Sequence, residues 1–301
     1  MPPDLAPPRH TPYAAGQHRL AAGLAPLDPA QWFEPDAQWN RQMANKGAIL
    51  CYRHGAAVAA LAGSEPAQAE MLERMLEHLP HAHPALYERE PGGLRVRALH
   101  PGGANHADLS PIDRCGRLVQ EDVCLMEERA GLFVLTAATL CAPSGWRLSD
   151  KLGQPLSGIH ARVPGYEDEL GRRVQRAFQG LQAPQPMWRT NWSLHTEDTL
   201  FTPGGHAASP NSPDAITAAN AGETVWVRVE RQTLTRLART GAIAFTIKTH
   251  IDPLAALAGR RDLCAGLKGS IESMHAAMQD YKSFSRYKAA VLGWLDAQIG
   301  A

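Results

Sequence analysis

A chain of 301 residues, 44% of them hydrophobic, carries enough apolar material to bury a sizeable core as one large domain or two modest ones. Thirty basic residues balance thirty acidic ones and no long basic stripe appears, so the electrostatic footprint of a nucleic-acid binder is absent. No apolar run reaches bilayer-spanning length: the longest, GLFVLTAATLCA at 131–142, is interrupted by threonines and reads as a buried strand.

The first 20 residues lack the charged start and apolar stretch of a signal peptide and are expected to form a disordered, proline-rich leader. Residues 28–50 begin with an Asp-Pro helix start and carry Trp32, Trp39 and Met43 at roughly helical intervals. Over 66–79, Met71, Leu72, Met75, Leu76 and Leu79 make one apolar helical stripe. Residues 80–116, rich in Gly, Pro and His, are expected to be loop plus one short strand, LRVRAL.

Two apolar runs, LVQEDVCLMEE and LFVLTAATLCA, flank a turn at Arg129–Gly131 and predict a hairpin. A loop around PSGW, a short helix near LSDKLG and the segment GIHARVPGY follow. Then comes a helix over YEDELGRRVQRAFQGL, with Leu170, Val174, Phe178 and Leu181 on one face and acids in its first turn. WRTNWSLHT leads into a polar loop at 203–222. In TVWVRVE, Val225, Val227 and Val229 alternate with Thr224, Trp226, Arg228 and Glu230, and IAFTIKT alternates likewise. From about 270 the chain reads as one long helical stretch. The sum is an α+β fold: one domain from about 21 to 301, helical over about 28–80, around a central antiparallel sheet.

Five cysteines, Cys51, Cys115, Cys124, Cys141 and Cys264, show no C-x-x-C spacing. That set suits a reducing cytoplasm and argues against an iron–sulfur cluster held by this chain alone. No G-x-S-x-G, H-E-x-x-H, P-loop or post-strand G-x-G-x-x-G occurs. Thirteen histidines are present. His78, His81 and His83 read as a solvated helix end, and His195 and His250 as core or edge residues of strands.

His160 has a different setting, on a stretch stiffened by Pro155 and Pro164. A single neutral imidazole on a rigid loop is what a proximal haem ligand requires, because the macrocycle supplies four nitrogens. Spacing alone favours a packed or surface histidine over a haem ligand. Arg189, Arg228, Arg231 and Arg236 suit either ion pairs with nearby acids or a bidentate grip on carboxylates such as haem propionates. Glu230 shares a strand face with Trp226, and an acid beside an aromatic ring suits a small cationic amine.

Five blocks in order, LVQEDVCLMEE, LCAPSGWRLSDKLGQPLSGIHARVPGY, WRTNWSL, VRVERQTLTRL and AFTIKTHIDPL, resemble the haem-dependent oxidative N-demethylase family. The resemblance runs from about Tyr13 to about residue 285. It implies a PAS-like fold holding haem b, and oxidative demethylation of a small secondary amine such as dimethylamine with O2, releasing formaldehyde. It also implies electrons from NADPH through a separate flavin and iron–sulfur reductase. By the same resemblance His160 is the iron ligand, with Arg162 where a proline is expected. Arg189, Asn191 and Trp192 match the R-x-N-W block, and Glu230 and Arg231 match the E-R-Q block. Cofactor contact is expected of Arg189, Asn191 and Arg231, and amine or proton handling of Glu230. The alternatives are a haem-PAS gas or small-molecule sensor without turnover, and a haem-free structural subunit.

Overall fold

The computed structural model describes residues 6–19, 23–91, 93–97, 108–166, 170–183, 185–204 and 213–300. The hairpin forms as its pattern predicts. Strands β5 (Asp122–Arg129) and β6 (Leu132–Thr139) are joined at Ala130 and Gly131, both left-handed with φ of 51° and 79°. Two positive-φ residues in a row make the tight turn whose twist matches that of the strands.

Downstream, β7 (Met187–His195), β8 (Trp226–Arg236) and β9 (Ile243–Pro253) pair antiparallel, and β9 lies against β5. Short strands close the two ends, β1 (Ala25–Pro26) on β7 and β2 (Val58–Ala60) on β6. The seven-stranded order is β1-β7-β8-β9-β5-β6-β2. Taken alone, the five long strands run second, first, fifth, fourth, third.

Helices cover both faces. On one face, Val123, Leu125 and Ala137 pack against α3 (Glu65–Ala82) and α4 (Pro111–Leu118), with Trp39 and Met43 of α1 (Trp39–Tyr52) beside them. Further along it, Trp192, Leu194, Val227 and Val229 meet α9 (Arg261–Glu272) and α11 (Lys288–Gly300). The opposite face carries Cys124, Met126, Phe133, Leu135 and Leu234 under Leu156, Phe178 and Leu181. Leu156 belongs to the four-residue α6 (Leu156–Ile159) and Phe178 to α7 (Gly171–Gly180). Each such apolar side chain removed from water contributes about 1.5–3 kcal/mol, which fixes short α6 to the sheet although four residues make no stable helix alone. The remaining short helices are α2 (His54–Ala57), α5 (Leu148–Lys151) and α8 (Ala221–Thr224).

Several expectations are corrected. Residues 28–50 are not one helix: a turn at Pro29–Gln31 precedes α1, because Pro35 resists helix before it and Asp36 Oδ1 accepts from Gln38 N (2.9 Å). Between 80 and 116 lie a hairpin, β3 (Tyr87–Glu90) with β4 (Gly93–Val96), and the helix α4. Composition hid α4, whose Ile112, Cys115 and Leu118 nonetheless recur at helical spacing and are buried. The C-terminal stretch is broken into α9, α10 (Ala276–Tyr281) and α11, with Ser283 at φ 60° just past α10. The acids expected in the first turn of α7, Glu167–Glu169, lie outside the described residues.

The leader is also placed where it is described. Tyr13 is fully buried in a turn at Pro12–Ala15, edge-on to Trp192. Two glycines of α9 let this segment approach: a Cβ on Gly266 would meet Ala14 Cα and O at 2.7 Å, and one on Gly269 would meet Gly16 O at 2.6 Å. Backbone cannot step aside as a flexible side chain can. Gly266→Ala is therefore expected to cost about 1–3 kcal/mol and to open residues 6–19 to limited proteolysis. A variant with unchanged Tm and unchanged protection would contradict this docking.

Candidate functional site

His160 ends α6. Its backbone N–H and its imidazole both turn back on the last helical turn: N donates to Leu156 O at 3.1 Å and Nδ1 to the same oxygen at 2.8 Å. A carbonyl only accepts, so the proton is on Nδ1 and the lone pair of Nε2 is left bare. Tyr166 stacks on the ring, centroids 4.5 Å apart and planes 16° apart. The turns between them close by Val163 N to His160 O (2.8 Å) and Tyr166 N to Val163 O (3.1 Å). Arg162, in place of the expected proline, is exposed and leaves both bonds formed. Burial holds the His160 pKa below its ordinary value; the Leu156 carbonyl opposes this, and the charges of Lys151 and Arg189 add to it. The imidazole is thus neutral, oriented and unprotonated at Nε2.

The sheet face below α6 and α7 continues onto β7 and β8. Register pairs Arg189 with Gln232, Asn191 with Glu230 and Ser193 with Arg228, and these side chains share that face. Arg189, Asn191, Glu230 and Gln232 are only half-buried at the residue level, and Phe245 is half-buried at the margin of the apolar cluster beneath α6 and α7. Arg189 makes no hydrogen bond among the described residues, and its Nε is buried without a partner. Burial lowers its pKa and the charge of Glu230 opposes that shift. Glu230 Oε1 lies 3.6 Å from Arg228 Nε, and Oε2 accepts from Gln232 Nε2 at 3.0 Å. Arg228 itself is fully buried and also donates to Leu200 O, Ala142 O and Thr249 Oγ1.

Beyond the two-residue β1, strand β7 is the edge of the sheet, and Lys282 fills that edge. Its Nζ donates to Trp192 O (2.6 Å) and Asn191 Oδ1 (3.1 Å). Burial lowers its pKa to about 8, with Glu230 opposing and Arg189 adding. The sequence reading missed Lys282; its one signal is a lysine set between Tyr281 and Phe284 in an otherwise apolar helical pattern. Tyr166 was visible in the GIHARVPGY block, without its stacking role.

Of the predicted site residues, Arg189, Asn191 and Glu230 share one face of β7 and β8, the charge of Arg189 reaches His160, and Arg231 lies on the other face. Odd-numbered Arg231 points through the other face of β8, where its Nε lies 2.9 Å from Glu34 Oε2 and its remaining donors reach Trp32 O and Gln31 O. Trp226 shares the face of Glu230 but is four residues away, ~13 Å along the strand, so it is not beside the acid.

Other histidines find structural partners. His10 and His250 gather round Glu34, their ligand atoms within 4.8 Å of one another. Arg9 (2.6 Å) and Arg231 (2.9 Å) already neutralise that carboxylate, and Lys248 (3.1 Å) neutralises neighbouring Asp36, which makes this an ion-pair network. His195 Nε2 meets Ser193 Oγ at 2.9 Å. His78, expected on a solvated helix end, instead packs against Trp32 and Phe33, and burial lowers its pKa to about 4.

A titration of imidazole resonances tests the His160 geometry. The Nδ1–H tautomer is expected, with a pKa below 6.5. An Nε2–H tautomer, or a pKa above 6.5, would contradict it.

The model of the family described as "haem-dependent oxidative N-demethylase, alpha subunit-like" matches residues 23–292. That span is nearly the whole chain, and the chain belongs to this family.

Proposed function

We propose that this family member is the haem-binding subunit of an oxidative N-demethylase. Its substrate is a small secondary amine of the dimethylamine kind, and its electrons come from a separate reductase. One observation carries the reading: a neutral imidazole unprotonated at Nε2 ends a helix packed on the sheet face that bears Arg189, whose charge reaches the ring and whose Nε is buried without a partner among the described residues. Those residues fit haem. His160 offers the single axial nitrogen, Arg189 an orphaned guanidinium for a carboxylate, and the wall of β7 and β8 a partly uncovered surface. The strand order second-first-fifth-fourth-third, with α5, α6 and α7 between the second and third strands, supports the PAS-like reading.

Haem, when bound, supplies dioxygen activation and oxidation at the N-methyl carbon. In the overall balance the methyl carbon leaves as formaldehyde and the nitrogen keeps a hydrogen. One atom of O2 enters formaldehyde; the other becomes water with two protons and two electrons. The electrons derive from NADPH through a partner carrying flavin and an iron–sulfur cluster. This division suits a chain without cluster-spaced cysteines, four of whose five cysteines are buried.

The chain's own residues orient and bind. The Leu156 carbonyl holds the His160 proton on Nδ1, which keeps Nε2 aimed and basic. Tyr166 limits rotation of the ring. Glu230 is the acid of the wall; a protonated amine takes the place of Gln232 on its Oε2 and leaves Arg228 on Oε1. Arg189 and Lys282 repel a cation, so a small ammonium has one favourable berth there.

Haem-loaded protein supplied with NADPH, ferredoxin reductase and ferredoxin is expected to release formaldehyde from dimethylamine. Glu230→Gln is expected to raise KM for the amine about 10-fold or more. Haem binding with no formaldehyde from any secondary amine would favour the sensor reading. An unchanged KM in Glu230→Gln would remove the acid from amine binding.

A further inference from the structure

We propose that Lys282 and Arg189 together form a carboxylate clamp at the His160 site. The proposal rests on the haem reading and names what its anionic groups, or those of its substrate, would meet.

Lys282 is put in place by a deliberate break in the chain. Helix α10 ends at Tyr281, and Ser283 turns left-handed at φ 60°. A serine held there needs support from its surroundings. The support is visible: Ser283 N donates to Asp280 O (2.9 Å), Phe284 N donates to Gln279 O (3.3 Å), and the Phe284 ring is fully buried. The same break leaves Lys282 directed at the free edge of β7.

The lysine ammonium has three N–H donors. Two go to Asn191 Oδ1 and Trp192 O; the third has no acceptor among the described residues. Arg189 likewise makes no hydrogen bond among the described residues, and its Nε is buried. Among the described residues neither cation is within ion-pair distance of a carboxylate, and Glu230 is held by Arg228 and Gln232. Charged or titratable groups facing Lys282 are Glu230 from β8, Arg189 from β7 and His18 from the N-terminal segment. Lys282 is bonded to Asn191, the next residue after Arg189 on the same face of β7, and two like charges so placed repel each other until an anion enters between them. The pairing also divides the work: a planar fork gives bidentate contact, and a compact ammonium gives a point charge. Asn191, the matching residue of the R-x-N-W block, then acts as the lysine's tether.

Carboxylate is the shared chemistry of two guests, the haem propionates and an N-methyl amino acid. The test titrates apo-protein with haem and with haem dimethyl ester, following the Soret band and tryptophan quenching. It then adds N-methylglycine or dimethylamine to the haem-loaded protein. Wild type is expected to bind haem at least 10-fold more tightly than the ester. That preference should fall several-fold in Lys282→Met and in Arg189→Met and survive in Lys282→Arg. It should also weaken in wild type as pH rises through about 8, where Lys282 loses its proton, and not in Lys282→Arg.

Equal binding of haem and ester, with a Soret shift from N-methylglycine that Lys282→Met abolishes, would assign the clamp to the substrate carboxylate. Equal binding with no such shift would overturn the clamp and leave the haem reading intact. Failure of both haem and ester to bind would overturn the haem reading, and the clamp's ligand with it.

Discussion

The two-residue period of strand β8, locked in register with β7, is the constraint on which the rest depends. It sends Arg228, Glu230 and Gln232 to one face and Val229 and Arg231 to the other. The first set meets Arg189 and Asn191 below His160. The second set meets Glu34 and the core beneath α9 and α11. A slip of one residue would bury the site's charges in that core and expose the residues that anchor the N-terminal segment. The segment from Gln31 to Gln42 therefore owes its place to β8 and to its neighbour β9, through Arg231 of β8 on Gln31 O and Lys248 of β9 on Gln42 Oε1.

Much of this was legible in the sequence where one pattern dominates locally. The apolar stripe of α3, the β5–β6 hairpin and the alternation of β8 and β9 all fold as their periodicity says. Helix α4 was hidden by the Gly, Pro and His residues before it, and the C-terminal break by an apolar pattern that runs on past Ser283. Glu230 and Arg231 are instructive because the alternation already places neighbours on opposite faces. Matching them as one block set that geometry aside, and the fold restores it. Lys282 was illegible for a different reason. Its importance comes from meeting a strand edge some ninety positions away, with Lys282 bonded to Asn191 and Trp192.

The chemistry of the site follows from unequal burial of its ionisable groups. His160 is kept neutral by burial and by positive neighbours, while a carbonyl claims the other nitrogen. A ligand to a metal needs both conditions: no proton on the donor atom, and a fixed ring plane. Arg189 remains charged despite its burial and makes no hydrogen bond among the described residues, so an anionic guest would stabilise it. Glu230 balances Arg228 and is the only carboxylate among these β7–β8 wall residues. The imidazole, the guanidinium and the acid are thus held by separate elements, His160 at the end of α6, Arg189 on β7 and Glu230 on β8, tied together by one sheet.

The central claim is that His160 Nε2 is the iron ligand. Resonance Raman of the ferrous, haem-loaded protein tests it through the iron–imidazole stretch. The band is expected in wild type, is expected to be absent in His160→Gly, and is expected to return when free imidazole is added to that variant. A band that persists in His160→Gly without imidazole would contradict it.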